Sequence, residues 1–274
     1  MAVPARQEVA ERRYRVCVRS SRRPQKLAQV WEKYLSLFGP EVCIYVTADE
    51  MPLYKERFPD TRLWEGAKGP GGQVTKMLND TPMGTWLVVL DDNNSCIKYL
   101  GRVAKQANIN DMLRKGMTAG VLAFSASQTS NTFGRKVPEG LTIRQDLLYG
   151  AFFAMKVPNG QTGAEWAAKI GTRHGSISDD LERSCRIYHE GGVGCMGVFK
   201  EITVTKRDKP GLWKAGKGGI ADLYRHPKAF MAAKVRHLDA IAKEFPEVQR
   251  LPIELAADQK FQAGWKFNPK LRGR

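Results

Sequence analysis

The stretch Trp86-Leu-Val-Val-Leu-Asp-Asp-Asn-Asn94 decides how the rest of the chain is read. Five apolar residues, two of them β-branched, run straight into two carboxylates and two amides. A continuous apolar run this short, entered through Pro82-Met-Gly-Thr85, has the pattern of a strand buried on both faces. In an open α/β sheet, ligands bind beyond the carboxyl ends of the strands. Asp91, Asp92 and Asn93 then fall at that edge, where hard oxygen ligands suit a Mg²⁺ or Mn²⁺ carrying a diphosphate. Asp and Asn are also ordinary turn residues and good helix caps. A second reading therefore stands beside the first, an acidic loop capping a helix from about Ile97.

Upstream, Tyr14-Arg-Val-Cys-Val18 alternates as a strand and leads into Arg19-Ser-Ser-Arg-Arg-Pro24. Leu27, Val30, Trp31, Tyr34, Leu37 and Phe38 recur at helical spacing until Gly39-Pro40. Val42–Val46 reads as a second strand, Leu53–Phe58 as a short helix and Arg62–Trp64 as a third strand. A glycine-rich loop, Gly66 to Gln73, precedes a helical Val74–Asn79. This alternation points to a parallel sheet with right-handed crossovers. Two of its loops suit a nucleotide. Backbone amides and guanidinium groups of Arg19–Arg23 can meet phosphate or base, and the glycines before Gln73 and Lys76 let the backbone come close to a ligand.

Downstream, Ile97, Leu100, Val103, Ala104 and Ala107 predict a helix, and Ala119–Phe124 a strand. A long polar loop runs from Ser125 to Glu139, and Leu148–Met155 is a strand with a bulge or close approach at Gly150. Ser178 is a fitting N-cap for a helix to His189, closed by Gly191-Gly192. Asp179, Asp180 and Glu182 in its first turn offset the helix dipole; a sharper reading makes one of them a general base. Lys200–Lys206 is a late strand entering the basic glycine loop Asp208 to Ile220. Gly211, Gly216 and Lys217 have P-loop spacing, but Gly218 stands where the Mg²⁺-binding Ser or Thr belongs. Lysines of this loop closing over a diphosphate is the better reading. Met231, Val235, Leu238, Ala242 and Phe245 mark an amphipathic helix. After it, Lys260–Arg274 interleaves five basic residues with Phe261, Trp265 and Phe267, a composition suited to phosphate contacts and base stacking.

The charge balance is the strongest compositional signal. Forty-four Lys and Arg against 28 Asp and Glu leave +16, which attracts polyanions, nucleic acid above all. No stretch approaches the ~20 apolar residues of a membrane span. Met1–Arg13 carries charges where a signal peptide needs its apolar region, so a cytoplasmic protein is expected. Five cysteines without a CxxC pair predict reduced, largely buried thiols, and the four scattered histidines predict structural roles.

Taken in order, these pieces resemble the glycosyltransferases associated with TET and JBP dioxygenases, found in phages and in the trypanosome base J pathway. The resemblance rests on the basic loop Val18–Pro24, the glycine loop with Gln73 and Lys76, and Asp91-Asp-Asn93. It continues through the acidic helix Ser178–His189, Glu190-Gly-Gly-Val-Gly194 and Lys209-Pro-Gly-Leu-Trp-Lys-Ala-Gly-Lys-Gly-Gly219. It implies a GT-A-like single Rossmann-type domain over 14–224, with a mostly parallel central sheet flanked by helices. Residues 1–13 are then an N-terminal extension, and 225–274 a C-terminal basic helical extension and tail. It also implies a nucleotide-sugar donor, UDP-glucose, and a divalent metal, Mn²⁺ or Mg²⁺. The implied partner is DNA bearing a hydroxymethylated pyrimidine, 5-hydroxymethylcytosine or 5-hydroxymethyluracil, with the host cytoplasm as the location if a phage encodes the chain. Carried over residue by residue, Asp91, Asp92 and Asn93 match the family's site for metal, ribose and diphosphate. Arg19, Ser20 and Arg22 line the nucleotide pocket with Gln73 and Lys76 nearby; Lys214 and Lys217 neutralise the departing diphosphate; Asp179 or Asp180 is the base. Asn93 departs from the pattern, since such a site usually ends in Asp. The alternatives are a glycosyltransferase of the same fold with a non-DNA acceptor, and a non-catalytic DNA-binding protein on a degenerate sugar-nucleotide fold.

Overall fold

The computed structural model describes residues 14–33, 35–39, 41–58, 63–92, 94–128, 139–143, 147–175, 177–206, 227–250 and 265–267. The first half lays down β1 (Tyr14–Arg19), α1 (Pro24–Lys33), β2 (Cys43–Val46), α2 (Met51–Lys55), β3 (Leu63–Glu65), α3 (Gly69–Asn79) and β4 (Trp86–Asp91). There follow β5 (Asn94–Tyr99), β6 (Arg102–Val103), α4 (Gln106–Thr118), β7 (Ala123–Gln128), β8 (Leu141–Ile143) and β9 (Phe152–Lys156). Helices α5 (Gly163–Ile170) and α6 (Asp179–Gly191) lead to the long β10 (Met196–Lys206) and to α7 (Pro227–Glu244). A small antiparallel pair, β11 (Val248–Arg250) with β12 (Trp265–Phe267), lies beyond.

Ten strands form one sheet in the order β3-β2-β1-β4-β9-β7-β10-β5-β6, with β8 also on β10. Strands β3, β2, β1 and β4 pair in parallel, as do β7 and β10, while β9 runs antiparallel between β4 and β7. This is the expected α/β architecture, a mostly parallel central sheet flanked by helices. Alternation along the strands splits the core into two layers. Val16, Val18, Trp86, Val88 and Leu90 face Leu27, Val30 and Met112 on one side. Cys17, Leu87 and Val89 face Val74, Met77, Trp166 and Ile187 on the other. β4 is thus buried on both faces, as its unbroken apolar run requires. Helix α7 docks on α6, with Leu238, Ile241 and Phe245 against Leu181 and Cys185.

Several boundaries differ from the sequence reading, each for a physical reason. The helix expected from Ile97 is instead the hairpin β5–β6, so the acidic cluster caps no helix and α4 begins only at Gln106. Leu100 (φ 47°) and Gly101 (φ 80°) supply the left-handed turn between the strands, and β5 is claimed by pairing with β10 (Tyr99 opposite Ile202). Tertiary pairing overrides the helical spacing there. The glycine loop is shorter than expected because Gly69–Gly72 already form the first turn of α3, with Pro70 inside it. Gly71 is required at that turn, since a Cβ there would lie 2.2 Å from Thr172 Oγ1. Ser178 precedes α6 without a side-chain cap bond. The close approach expected at Gly150 is real: a Cβ there would meet the Asp180 carboxylate at 2.2 Å. All five cysteines are free thiols and all but Cys96 are buried. Among the described residues no helix is long and apolar enough to cross a membrane.

Candidate active site at the carboxyl edge of the sheet

The register of β1 on β4 places Arg19 beside Asp91. Both strands end there, so the chain must leave the sheet through Ser20–Arg23 on one side and Asp92 on the other. The Arg19 guanidinium, 11% exposed, donates to Gly150 O at 3.0 Å and to Asp179 Oδ2 at 3.2 Å, with Asp91 Oδ2 at 3.9 Å. Burial alone would lower its pKa, but Asp179, Asp91 and Asp180 together raise it above the ordinary arginine value. One residue on, Ser20 Oγ donates to Asp92 Oδ2 at 2.6 Å and shares a 2.5 Å hydrogen bond with the Tyr54 hydroxyl. Arg22 adopts φ 54°, a left-handed conformation that a non-glycine residue holds only under constraint. Glu50 supplies the constraint, accepting from Arg22 N at 3.0 Å and from Ser21 Oγ at 2.9 Å. The Arg22 side chain is 62% exposed, its Nε 3.8 Å from Glu50 Oε1. Gln73, on α3, donates through Nε2 to Ser20 O at 3.2 Å, and its buried Oε1 accepts no hydrogen bond from the described residues.

The four acids of the edge are all matched to arginines. Asp92 is fully buried and pairs with Arg23 at 2.7 Å. Burial pushes its carboxyl up to about 7, against the opposing pull of Arg23. Asp179 accepts from Arg183 at 2.6 Å as well as from Arg19. Asp180 accepts from Gly150 N at 3.1 Å and lies 3.5 Å from Arg183. Arg183 is wholly buried, its guanidinium 4.8 Å from the centroid of the Phe153 ring. Asp180 keeps 29% of its side chain exposed against 8% for Asp179, so of the two it is the one a ligand can reach.

The structure therefore brings together Arg19, Ser20, Arg22, Gln73, Asp91, Asp92, Asp179 and Asp180. It takes Lys76 elsewhere. That ammonium bonds Asp80 at 2.5 and 2.7 Å, and Asp80 also receives Tyr45 and Arg15, at the opposite end of β1 from the site. The reason is one of helix geometry: from Gln73, three residues along α3 carry Lys76 away from the carboxyl edge. Asn93, Lys214 and Lys217 lie outside the described residues. A divalent metal at Asp91-Asp92-Asn93 needs open carboxylate oxygens. Asp92 Oδ2 accepts from Ser20, its fully buried Oδ1 lies 2.7 Å from the Arg23 guanidinium, and the carboxylate of Asp91 faces a guanidinium. As arranged, the described residues do not fit a protein-held metal.

Sequence reasoning missed Glu50, Tyr54 and Arg183, and placed Arg23 only within the Arg19–Arg23 loop, not as the partner of Asp92. Arg23 and Arg183 are charged residues that become fully or nearly buried, a property no local pattern signals. Arg183 does stand four residues after Asp179 on one helix face, a spacing that predicts the ion pair once the helix is assigned. A second acid-rich group, His174, Glu182 and Glu244, brings three ligand-type atoms close together. Arg186 occupies it, bonding Glu182 at 2.7 Å and Glu244 at 2.8 Å.

No family model matches the chain, and no curated protein matches it. Among solved structures it is similar to a mycobacterial protein, at TM-score 0.51 and 10% identity over 97% of this chain and 90% of that one. That likeness extends to the fold alone. It is also similar to 4-diphosphocytidyl-2C-methyl-D-erythritol synthase from Anaerococcus prevotii (TM-score 0.43, 8% identity, 81% of this chain and 94% of that one). A third neighbour is S. aureus TarS (TM-score 0.42, 10% identity, 93% of this chain and 98% of that one).

Proposed function

We propose that this chain is a glycosyltransferase of the kind its sequence resembles, moving glucose from UDP-glucose to the hydroxymethyl group of 5-hydroxymethylcytosine or 5-hydroxymethyluracil in DNA. The observation that carries the reading is the meeting of three segments at one sheet edge: the arginine loop after β1, the acidic end of β4 and the head of α6. In the reaction the acceptor hydroxyl oxygen bonds to the anomeric carbon. The bond from that carbon to the diphosphate breaks, and its electron pair leaves with UDP. Asp180, the more exposed acid, takes the hydroxyl proton. Exposed Arg22 meets the developing charge on the diphosphate. Gln73 Oε1, buried and without a hydrogen bond among the described residues, is the acceptor assigned to the donor's base. Lys214 and Lys217 are assigned to the leaving diphosphate on the resemblance alone. The +16 charge supports a polyanionic acceptor over a neutral one.

The test is to incubate the protein with hydroxymethylated duplex DNA and a panel of nucleotide sugars, then weigh the released nucleosides by mass spectrometry. A hexose adduct on the hydroxymethylated base is the expected product, and Asp180→Asn is expected to lower its rate by roughly 10²–10⁴. If no donor yields an adduct on DNA, the reading fails.

A further inference from the structure

We propose that the Arg19 guanidinium stands where a divalent cation would otherwise bridge β4 and α6, so that this site handles its anionic ligand without a protein-held metal. The proposal deepens the transferase reading and takes its site from it. Arg19 reaches all three groups that converge there: Asp179 Oδ2 at 3.2 Å, Gly150 O at 3.0 Å and Asp91 Oδ2 at 3.9 Å. A carboxylate from β4, a carboxylate from α6 and a backbone carbonyl are the hard oxygens that a Mg²⁺ or Mn²⁺ would seek. Here they surround a planar cation whose N–H groups suit them equally well. A metal added between Asp91 and Asp179 has to expel that largely enclosed guanidinium or sit beside it against like-charge repulsion.

The neighbouring pairs close the remaining routes. Arg23 holds Asp92 at 2.7 Å, and Arg183 holds Asp179 at 2.6 Å and Asp180 at 3.5 Å. Three guanidiniums thus meet four carboxylates, which leaves too little negative charge to attract a dication strongly. Positive charge for a diphosphate comes from Arg22, whose backbone is fixed by Glu50 and whose side chain is exposed.

Mn²⁺ binding to the full chain, followed by the loss of the free-ion electron paramagnetic resonance signal, tests the proposal without donor, acceptor or turnover. A failure of the transferase reading therefore leaves this measurement intact. Wild type and Asp91→Asn are expected to take up equal Mn²⁺; one Mn²⁺ per chain that Asp91→Asn abolishes overturns the proposal. Arg19→Met is expected to gain one Mn²⁺ per chain, and the gain is expected to vanish when Asp91→Asn is added. A folded Arg19→Met protein that gains none, or whose gain survives the second substitution, overturns it too. If Arg19→Met does not fold, the wild-type and Asp91→Asn pair decides alone.

Discussion

Asp92 is a carboxylate caught between burial and an ion pair that pull it in opposite directions. Complete burial disfavours its ionised form, while Arg23 and the Ser20 hydroxyl favour it; burial wins, and the group is pushed up to about 7. A carboxyl whose folded value lies above its unfolded one contributes stability that is fully present below its ordinary pH range. That contribution is lost as pH rises through about 7. Asp92→Asn keeps the size and an acceptor for Ser20 but cannot ionise. Thermal melts from about pH 4 to 8 should therefore show the variant gaining on wild type as pH rises, by on the order of a few kcal/mol. The reverse trend would mean that Arg23 outweighs burial. The same residue shows why an acid at a strand end is ambiguous. Asp91 and Asp92 are adjacent and chemically alike, yet Asp91 turns toward the site while Asp92 turns inward to hold the Ser20 loop.

Helix α6 joins the site to the C-terminal helix. Its head carries Asp179 and Asp180 into the sheet edge, and one turn on, Glu182 is almost fully buried. Glu182 accepts from Arg173 N at 2.6 Å, from His174 N at 3.1 Å and from Arg186, whose other contacts reach Glu244 on α7. His189, further along, pairs with Glu247 beyond α7. Removing Glu182 leaves the buried Arg186 with Glu244 alone and strands two backbone donors, so Glu182→Ala should cost roughly 3–5 kcal/mol in a urea titration. Glu244, about a third exposed, is screened by water, and its alanine variant should cost about 1 kcal/mol or less. Equal losses at the two positions would show that solvent exposure does not govern the cluster.

Across the whole molecule the +16 charge dominates long-range behaviour. Anisotropy titrations of a labelled duplex should show affinity falling by about 10³ or more between roughly 50 and 200 mM salt if several phosphates are neutralised. A salt-insensitive association would place the acceptor outside DNA. The sequence by itself determined the periodic parts of the molecule: the alternation of β1, the unbroken apolar run of β4, the acidic start of α6 and the close approach at Gly150. Each of these follows from local spacing or from a backbone that only glycine permits. Tertiary structure alone decided that β5 pairs with β10 and β6 folds back on β5 instead of coiling, and that α3 begins among its glycines. It also decided that Lys76 leaves the site, and that Asp91, Asp92, Asp179 and Asp180 each acquire an arginine. The physical reason is that a buried charge is set by partners distant in the chain. Arg19 and Asp179 are 160 residues apart in sequence and 3.2 Å apart in the fold.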